Sequence, residues 1–192
     1  VRIKNPDDFS LFQLNTVNEG LGNVSRLGYD LDGLVIDAGT TGAKGQAANA
    51  SSNGIGSGRR ITIRIDNKVW DSPASASRIM EEQFKQRWLV TDNIVGTIEH
   101  ELGHTLHAEV VQGLQKVRAI TDAEIRLLRK EVSHYASTDS LEAVAEIFSG
   151  MMRGNKYSDD IMRLYESLGG PTVERQAALV AERQRIEALV RQ

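Results

Sequence analysis

Three of the four histidines in the 192-residue chain fall in one run, T-I-E-H-E-L-G-H-T-L-H, residues 97–107. On a helix, at about 100° per residue, His100 and His104 lie within roughly 40° of each other and one turn apart. Their imidazoles can therefore point at a single ion, and Zn2+ accepts nitrogen ligands at about 2.0–2.1 Å. Glu101 stands beside that face, within reach of a metal-bound water. Two imidazoles and a carboxylate in the order H-E-x-x-H are parts suited to metal-assisted hydrolysis. Ile94, Val95, Ile98, Leu102 and Leu106 occupy the opposite arc, so one face of this helix is core and the other carries the imidazoles. Gly103 suits close approach of another element. H-E-x-x-H alone also arises by chance; its place on a capped amphipathic helix is what gives it weight.

Catalytic zinc typically takes three protein ligands and keeps one open position. With no cysteine in the chain, the third must be His, Asp or Glu. The segment S-L-E-A-V-A-E-I-F-S-G-M-M (140–152) offers Glu142 and Glu146, one turn apart. Leu141, Ala143, Val144, Ala145, Ile147, Phe148, Met151 and Met152 surround them, so the helix reads as apolar nearly all round and buried. A buried carboxylate is costly unless paired or metal-bound. Glu142 as third ligand relieves one such cost. Glu146, accepting the free N–H of a ligand histidine, relieves the other. The alternative is a surface helix whose glutamates face water.

H-E-L-G-H followed by Y-x6-E-x3-E resembles the gluzincin peptidases of the anthrax lethal factor type. It is also similar to the bacterial Pro-Pro endopeptidases and to zincin domains attached to phage proteins. The resemblance runs over roughly residues 91–152 and does not extend by motif into the first 70. It implies that His100, His104 and Glu142 bind Zn2+, that Glu101 is the general base, and that Glu146 supports a ligand. It further implies a transition-state role for Tyr135, which stands seven residues before Glu142. His107 departs from the pattern, since those families often carry an acidic residue there. Three histidines at i, i+4 and i+7 of a straight helix span about 10 Å, too far to converge on one ion. His107 is therefore expected in the cleft or behind a ligand. His134 is either an alternative electrophile or a plain loop histidine.

The elements that must position these residues read as an α+β, zincin-like chain, a single domain over 1–192. Residues 1–70 are mixed: an early helix through F-S-L-F-Q-L-N-T-V-N-E-G-L-G-N-V-S-R-L-G (9–28), then strands in L-D-G-L-V-I-D-A and R-R-I-T-I-R-I-D. In the second strand Ile61, Ile63 and Ile65 alternate with Thr62, Arg64 and Asp66, the period of a half-buried strand. R-R-I-T-I-R-I-D is expected above the metal cleft, where an extended peptide pairs with its edge. Between the strands, residues 38–58 are rich in Gly, Ala and Ser, a mobile loop or loose hairpin. G-I-G-S-G within it runs into a strand, not a helix, which disfavours a phosphate cradle.

Residues 72–170 read as helical and hold the metal site. Ser72-Pro73, Thr91 or Asp92, Thr121 with Glu124, one of Thr138, Asp139 and Ser140, and Ser158 are the helix starts. Gly169-Gly170-Pro171 is a stop. The last helix, 171–192, carries Val173, Val180, Ile186, Leu189 and Val190 beside mixed charge. It reads either as seeking a partner, with self-association through it, or as packing back on its own domain.

A net charge of -3 with no long basic run argues against nucleic acid as a partner. No apolar run approaches the roughly 18 residues of a membrane span. The first residue is not Met, so upstream sequence is expected to have been removed. The compartment stays open between cytoplasmic and secreted or virion-associated. The function implied is zinc-dependent endopeptidase action on a peptide or protein substrate. The rival readings are a catalytically silent zincin-like module of a phage structural or toxin polyprotein, with the metal purely structural, and an assembly domain.

Overall fold

The computed structural model describes residues 1–4, 6–39, 48–52, 61–66, 72–111 and 116–190. β1 (Arg2–Lys4) leads into α1 (Leu11–Arg26). A capping box opens α1: Ser10 Oγ accepts the Gln13 N–H at 3.2 Å, and Gln13 Oε1 accepts the Ser10 N–H at 2.8 Å. Three strands follow, β2 (Leu34–Gly39), β3 (Ala48–Ser52) and β4 (Ile61–Asp66). The sheet order is β1-β2-β4-β3, with β1, β2 and β4 parallel and β3 antiparallel to β4. Ile36 is opposite Ile63, which in turn is opposite Ala50.

This order corrects one expectation. β4, the strand of R-R-I-T-I-R-I-D, has β2 on one side and β3 on the other, so it is not the edge that meets the helices. That edge is β3, which packs against the helix carrying the H-E-x-x-H run. β3 reads A-N-A-S-S, a composition with little β-propensity. Its strand state comes from pairing with β4 and not from its own sequence. It lies inside the segment read as a loop or loose hairpin; the remainder of 40–58, G-I-G-S-G included, is outside the described residues.

From Ser72 on, the described chain is helical: α2 (Pro73–Lys85), α3 (Val95–Val110), α4 (Asp122–Glu131), α5 (Ser140–Met152), α6 (Asp159–Ser167) and α7 (Val173–Val190). The result is an α+β architecture, a small N-terminal sheet and a helical C-terminal half. Ser72 caps α2 with Pro73 at its first turn, Thr121 and Glu124 form a capping box on α4, Asp139 caps α5 and Ser158 caps α6. The start of α3 differs from expectation. Neither Thr91 nor Asp92 caps it. Asn93 Oδ1 accepts the Val95 N–H at 2.8 Å, while Thr91 Oγ1 closes the preceding turn on the Asn93 N–H at 3.1 Å.

The core is one cluster of buried apolar side chains contributed by α1, β2, α2, α3, α4, α5 and α6. α3 is its axis. Ile98, Leu102 and Leu106 are buried as their arc requires, but Glu99, Glu101 and His107 are buried as well. α3 therefore keeps little solvent face over this stretch, because α5 and the segment before it cover most of the side that carries the imidazoles; His104 stays partly exposed there.

α5 is buried all round from Ala143 to Gly150, which removes the surface-helix alternative. Gly103 permits the α3–α5 contact: a Cβ there would lie 3.1 Å from Ala145 Cα and 3.2 Å from Phe148 Cβ. α7 is anchored near its start, where Gln176 exchanges two hydrogen bonds of 2.7 Å with the backbone of Asp30. Further along, Ile186 and Leu189 are exposed.

Candidate metal centre

Two short-range devices bring the candidate ligands together. α3 sets His100 and His104 one turn apart, with ring centroids 4.8 Å apart and planes at 83°. Asp139 caps α5 by accepting the N–H groups of Leu141 and Glu142, at 2.7 and 3.0 Å, which places Glu142 on the first turn. The glycine contact at Gly103 then lets α5 approach closely enough for Glu142 to reach both rings. Glu142 Oε2 lies 3.0 Å from His100 Nε2 and 3.3 Å from His104 Nε2. One donor atom from each of the three residues falls within 4.8 Å of the others.

This donor set fits a zinc ion. Two atoms each 2.0–2.1 Å from one tetrahedral ion sit about 3.3 Å apart; the Glu142 oxygen lies 3.0 and 3.3 Å from the two imidazole nitrogens, close to that spacing. The set is two imidazole nitrogens and one carboxylate oxygen, a combination that catalytic zinc accepts. Electrostatics also favour a cation there. Burial opposes the charged form of His100, yet its hydrogen bonds to Glu142 and Glu146 outweigh burial and hold its pKa well above the ordinary imidazole value. Burial would likewise raise the Glu142 carboxyl, but hydrogen bonds from His100 and His104 hold it well below the usual carboxylate range.

Behind His100 stands Glu146, 1% exposed. Its Oε1 accepts the His100 Nδ1–H at 2.9 Å; Oε2 accepts the Val90 N–H at 2.8 Å and the Ser133 hydroxyl at 2.7 Å. Both oxygens are thereby used, as a buried carboxylate requires. With Nδ1 engaged by Glu146, Nε2 is the nitrogen of His100 that faces the cluster, the arrangement in which ligand histidines are held and tuned by an outer partner.

Glu101 is buried on the same turn of α3. Tyr135 lies in a short 3-10 helix, Tyr135–Ser137, with its ring 5.8 Å from that of His100 and nearly parallel to it. Burial, followed by the charge of Glu142 and a hydrogen bond to it, raises the Tyr135 phenol well above its ordinary pKa. The hydroxyl therefore stays protonated and directed at the cluster.

His107 does not join them. It is fully buried, its Nε2 meets the Leu168 carbonyl at 2.8 Å at the end of α6, and burial lowers its pKa. It ties α3 to the turn after α6 and does not open into a cleft, because it projects one further turn along the helix from His104. His134 is exposed, one residue before Tyr135.

Sequence reasoning missed Ser133, Val90 and Trp88. Ser133 and Val90 support Glu146 through a hydroxyl and a backbone N–H that no spacing rule singles out. Trp88 packs against Tyr135, ring centroids 5.7 Å apart. Also unread was buried Glu99, which takes Arg153 through two hydrogen bonds of 2.8 and 2.9 Å and the Asn23 amide at 2.7 Å, joining α1, α3 and α5.

No family model and no curated protein matches the chain. Among solved structures, it is similar to a crystal structure from Bacteroides caccae named as a candidate zinc-binding metallopeptidase, at 15% identity over 93% of this chain and 76% of that one, with a TM-score of 0.34. At that score the likeness assigns neither family nor reaction.

Proposed function

We propose that this protein is a zinc-dependent endopeptidase of the zincin type, with His100, His104 and Glu142 as metal ligands. The observation that carries the reading is the convergence of those three donor atoms within 4.8 Å beside the buried carboxylate of Glu101. The single buried apolar cluster, which reaches from Phe9 to Leu168, supports treating the chain as one domain.

His100, His104 and Glu142 would hold the zinc, which would supply an acidified water, with a pKa of about 7, and a Lewis acid for the scissile carbonyl. Glu101 would be the base that accepts a proton from the attacking water and would return it to the amine as the C–N bond breaks. Tyr135 swings its hydroxyl from Glu142 to the developing oxyanion, where a positioned donor contributes most. Glu146 keeps His100 in one orientation throughout. β3, which ends the described sheet on the α3 side, is the edge on which an extended peptide adds as a further strand.

The silent-module reading needs the three ligands but neither Glu101 nor Tyr135, and both are present beside the cluster. Loading the chain with one equivalent of Zn2+ and profiling a peptide library by mass spectrometry decides between the two. Cleavage that disappears in Glu101→Gln supports the peptidase. Bound zinc with no cleaved peptide under any library composition leaves the silent module.

A further inference from the structure

Trp88 presents a half-exposed indole whose ring lies against that of Tyr135, beside the metal centre. The residue is 44% exposed. Inward, three rings run from solvent to the ligand cluster: Trp88 to Tyr135 at 5.7 Å, then Tyr135 to His100 at 5.8 Å.

The indole is not carried on a loose connection. The Arg87 carbonyl accepts the His134 N–H at 2.8 Å, the Trp88 carbonyl accepts the Tyr135 N–H at 3.0 Å, and the Val90 N–H donates to Glu146 at 2.8 Å. Arg87 itself has φ 57, a left-handed conformation that non-glycine residues rarely hold. Its guanidinium donates to the carbonyls of Arg129 and Lys130 at 3.2 and 2.6 Å, at the end of α4. Such a conformation persists only where the surroundings over-determine it. Here the surroundings are the end of α4 and the segment that carries Tyr135. The fold thus spends backbone strain on holding a half-exposed indole at one position relative to the cluster.

We infer that the outer face of Trp88 is a substrate-binding surface that takes an apolar side chain of an extended peptide, within about three residues of the bond cleaved at the cluster. The inference rests on the peptidase reading. The distance follows from the two ring spacings against roughly 3.3 Å per extended residue. Preference for an apolar side chain follows from the indole, whose half-exposed surface gains by being covered with apolar area and offers no partner to a carboxylate.

The chain has two tryptophans, so Trp70→Phe leaves Trp88 as the sole indole reporter. In that background, with Glu101→Gln to block turnover and zinc loaded, the emission of Trp88 is followed against two pools of synthetic dodecapeptides. One pool is built from Ala, Leu, Val and Gly, the other from Asp, Glu, Ser and Gly. The apolar pool is expected to move the emission to shorter wavelength in a saturable way, and the acidic pool to leave it unmoved.

With Glu101 intact, Trp88→Ala is expected to raise KM for a cleaved peptide about tenfold at unchanged zinc content, and Trp88→Phe to restore most of it. No emission shift, an equal shift from the acidic pool, or a fall in kcat at unchanged KM overturns the inference. If no peptide of the full library is cleaved by the zinc-loaded chain while the apolar pool still shifts Trp88, the peptidase reading falls and the binding surface stands. If there is neither cleavage nor shift, both fall.

Discussion

Glu146 accepts the Nδ1–H of His100 on one oxygen, and the Val90 N–H and Ser133 hydroxyl on the other, at 2.9, 2.8 and 2.7 Å. One buried carboxylate thus orients a candidate metal ligand and ties down the segments on either side of it. Glu146→Gln keeps the volume but turns one acceptor into a donor, which must then face another donor. Zinc affinity is expected to fall by about 10–100-fold with the helical content retained. Competition with a chromophoric chelator measures it, and wild-type affinity would detach Glu146 from the metal.

Purified protein is expected to bind one zinc per chain, and Glu142→Ala to lose most of it, since two imidazoles alone make a weak site. Elemental analysis after gel filtration reads the ratio. A fully loaded Glu142→Ala protein would mean that the third ligand is another residue.

Chemistry and metal binding should separate at Glu101 and Tyr135. Glu101→Gln is expected to keep zinc and nearly abolish hydrolysis. Tyr135→Phe is expected to keep zinc and lower kcat with little change in KM, because the phenol's bond to the oxyanion exists mainly in the transition state. Steady-state kinetics on one cleaved peptide are sufficient. A wild-type kcat in Tyr135→Phe would take the phenol out of the mechanism, and a defect in His134→Ala would move the role one residue back.

Gly103→Val tests the α3–α5 approach. The added side chain would begin 3.1 Å from Ala145 Cα, which is backbone and cannot swing away. Overpacking of this kind costs about 1–3 kcal/mol. In a chain of this size that lowers Tm by roughly 2–4 °C per kcal/mol. Because the same contact seats Glu142 against the two histidines, zinc affinity is expected to drop with it. Thermal melts with and without zinc measure both effects; an unchanged melt would show that the helices have slack at Gly103.

The tip of α7 is expected to be dispensable for stability and its root is not. Ile186 and Leu189 are 51% and 62% exposed, whereas Gln176 is 2% exposed and holds Asp30. A chain ending at residue 180 should melt as the full chain does. Gln176→Ala, which removes both hydrogen bonds between α7 and the Asp30 backbone, should lose about 1–3 kcal/mol. Light scattering on the two chain lengths adds the assembly readout: a doubled mass that the shorter chain loses would assign the tip to self-association, and equal masses would remove that role.

Relations inside one helix were legible without coordinates. His100, Glu101 and His104 share neighbouring faces because helical spacing dictates it, and the caps Ser72, Thr121, Asp139 and Ser158 announce themselves by side-chain type at a boundary. The burial of α5 followed from apolar residues on every side, and with it the need of Glu142 and Glu146 for partners. Relations between segments distant in sequence were not legible.

That β3 and not β4 forms the edge beside α3 depends on strand pairing, to which A-N-A-S-S contributes almost no signal of its own. That His107 turns to the Leu168 carbonyl depends on where α6 ends against α3, 61 residues further along the chain. Ser133, Val90 and Trp88 join the metal centre through one hydroxyl, one backbone N–H and one ring face. Those groups acquire a role only once packing of α3 against α5 brings residues 88–90 and 133–135 to the same side of His100.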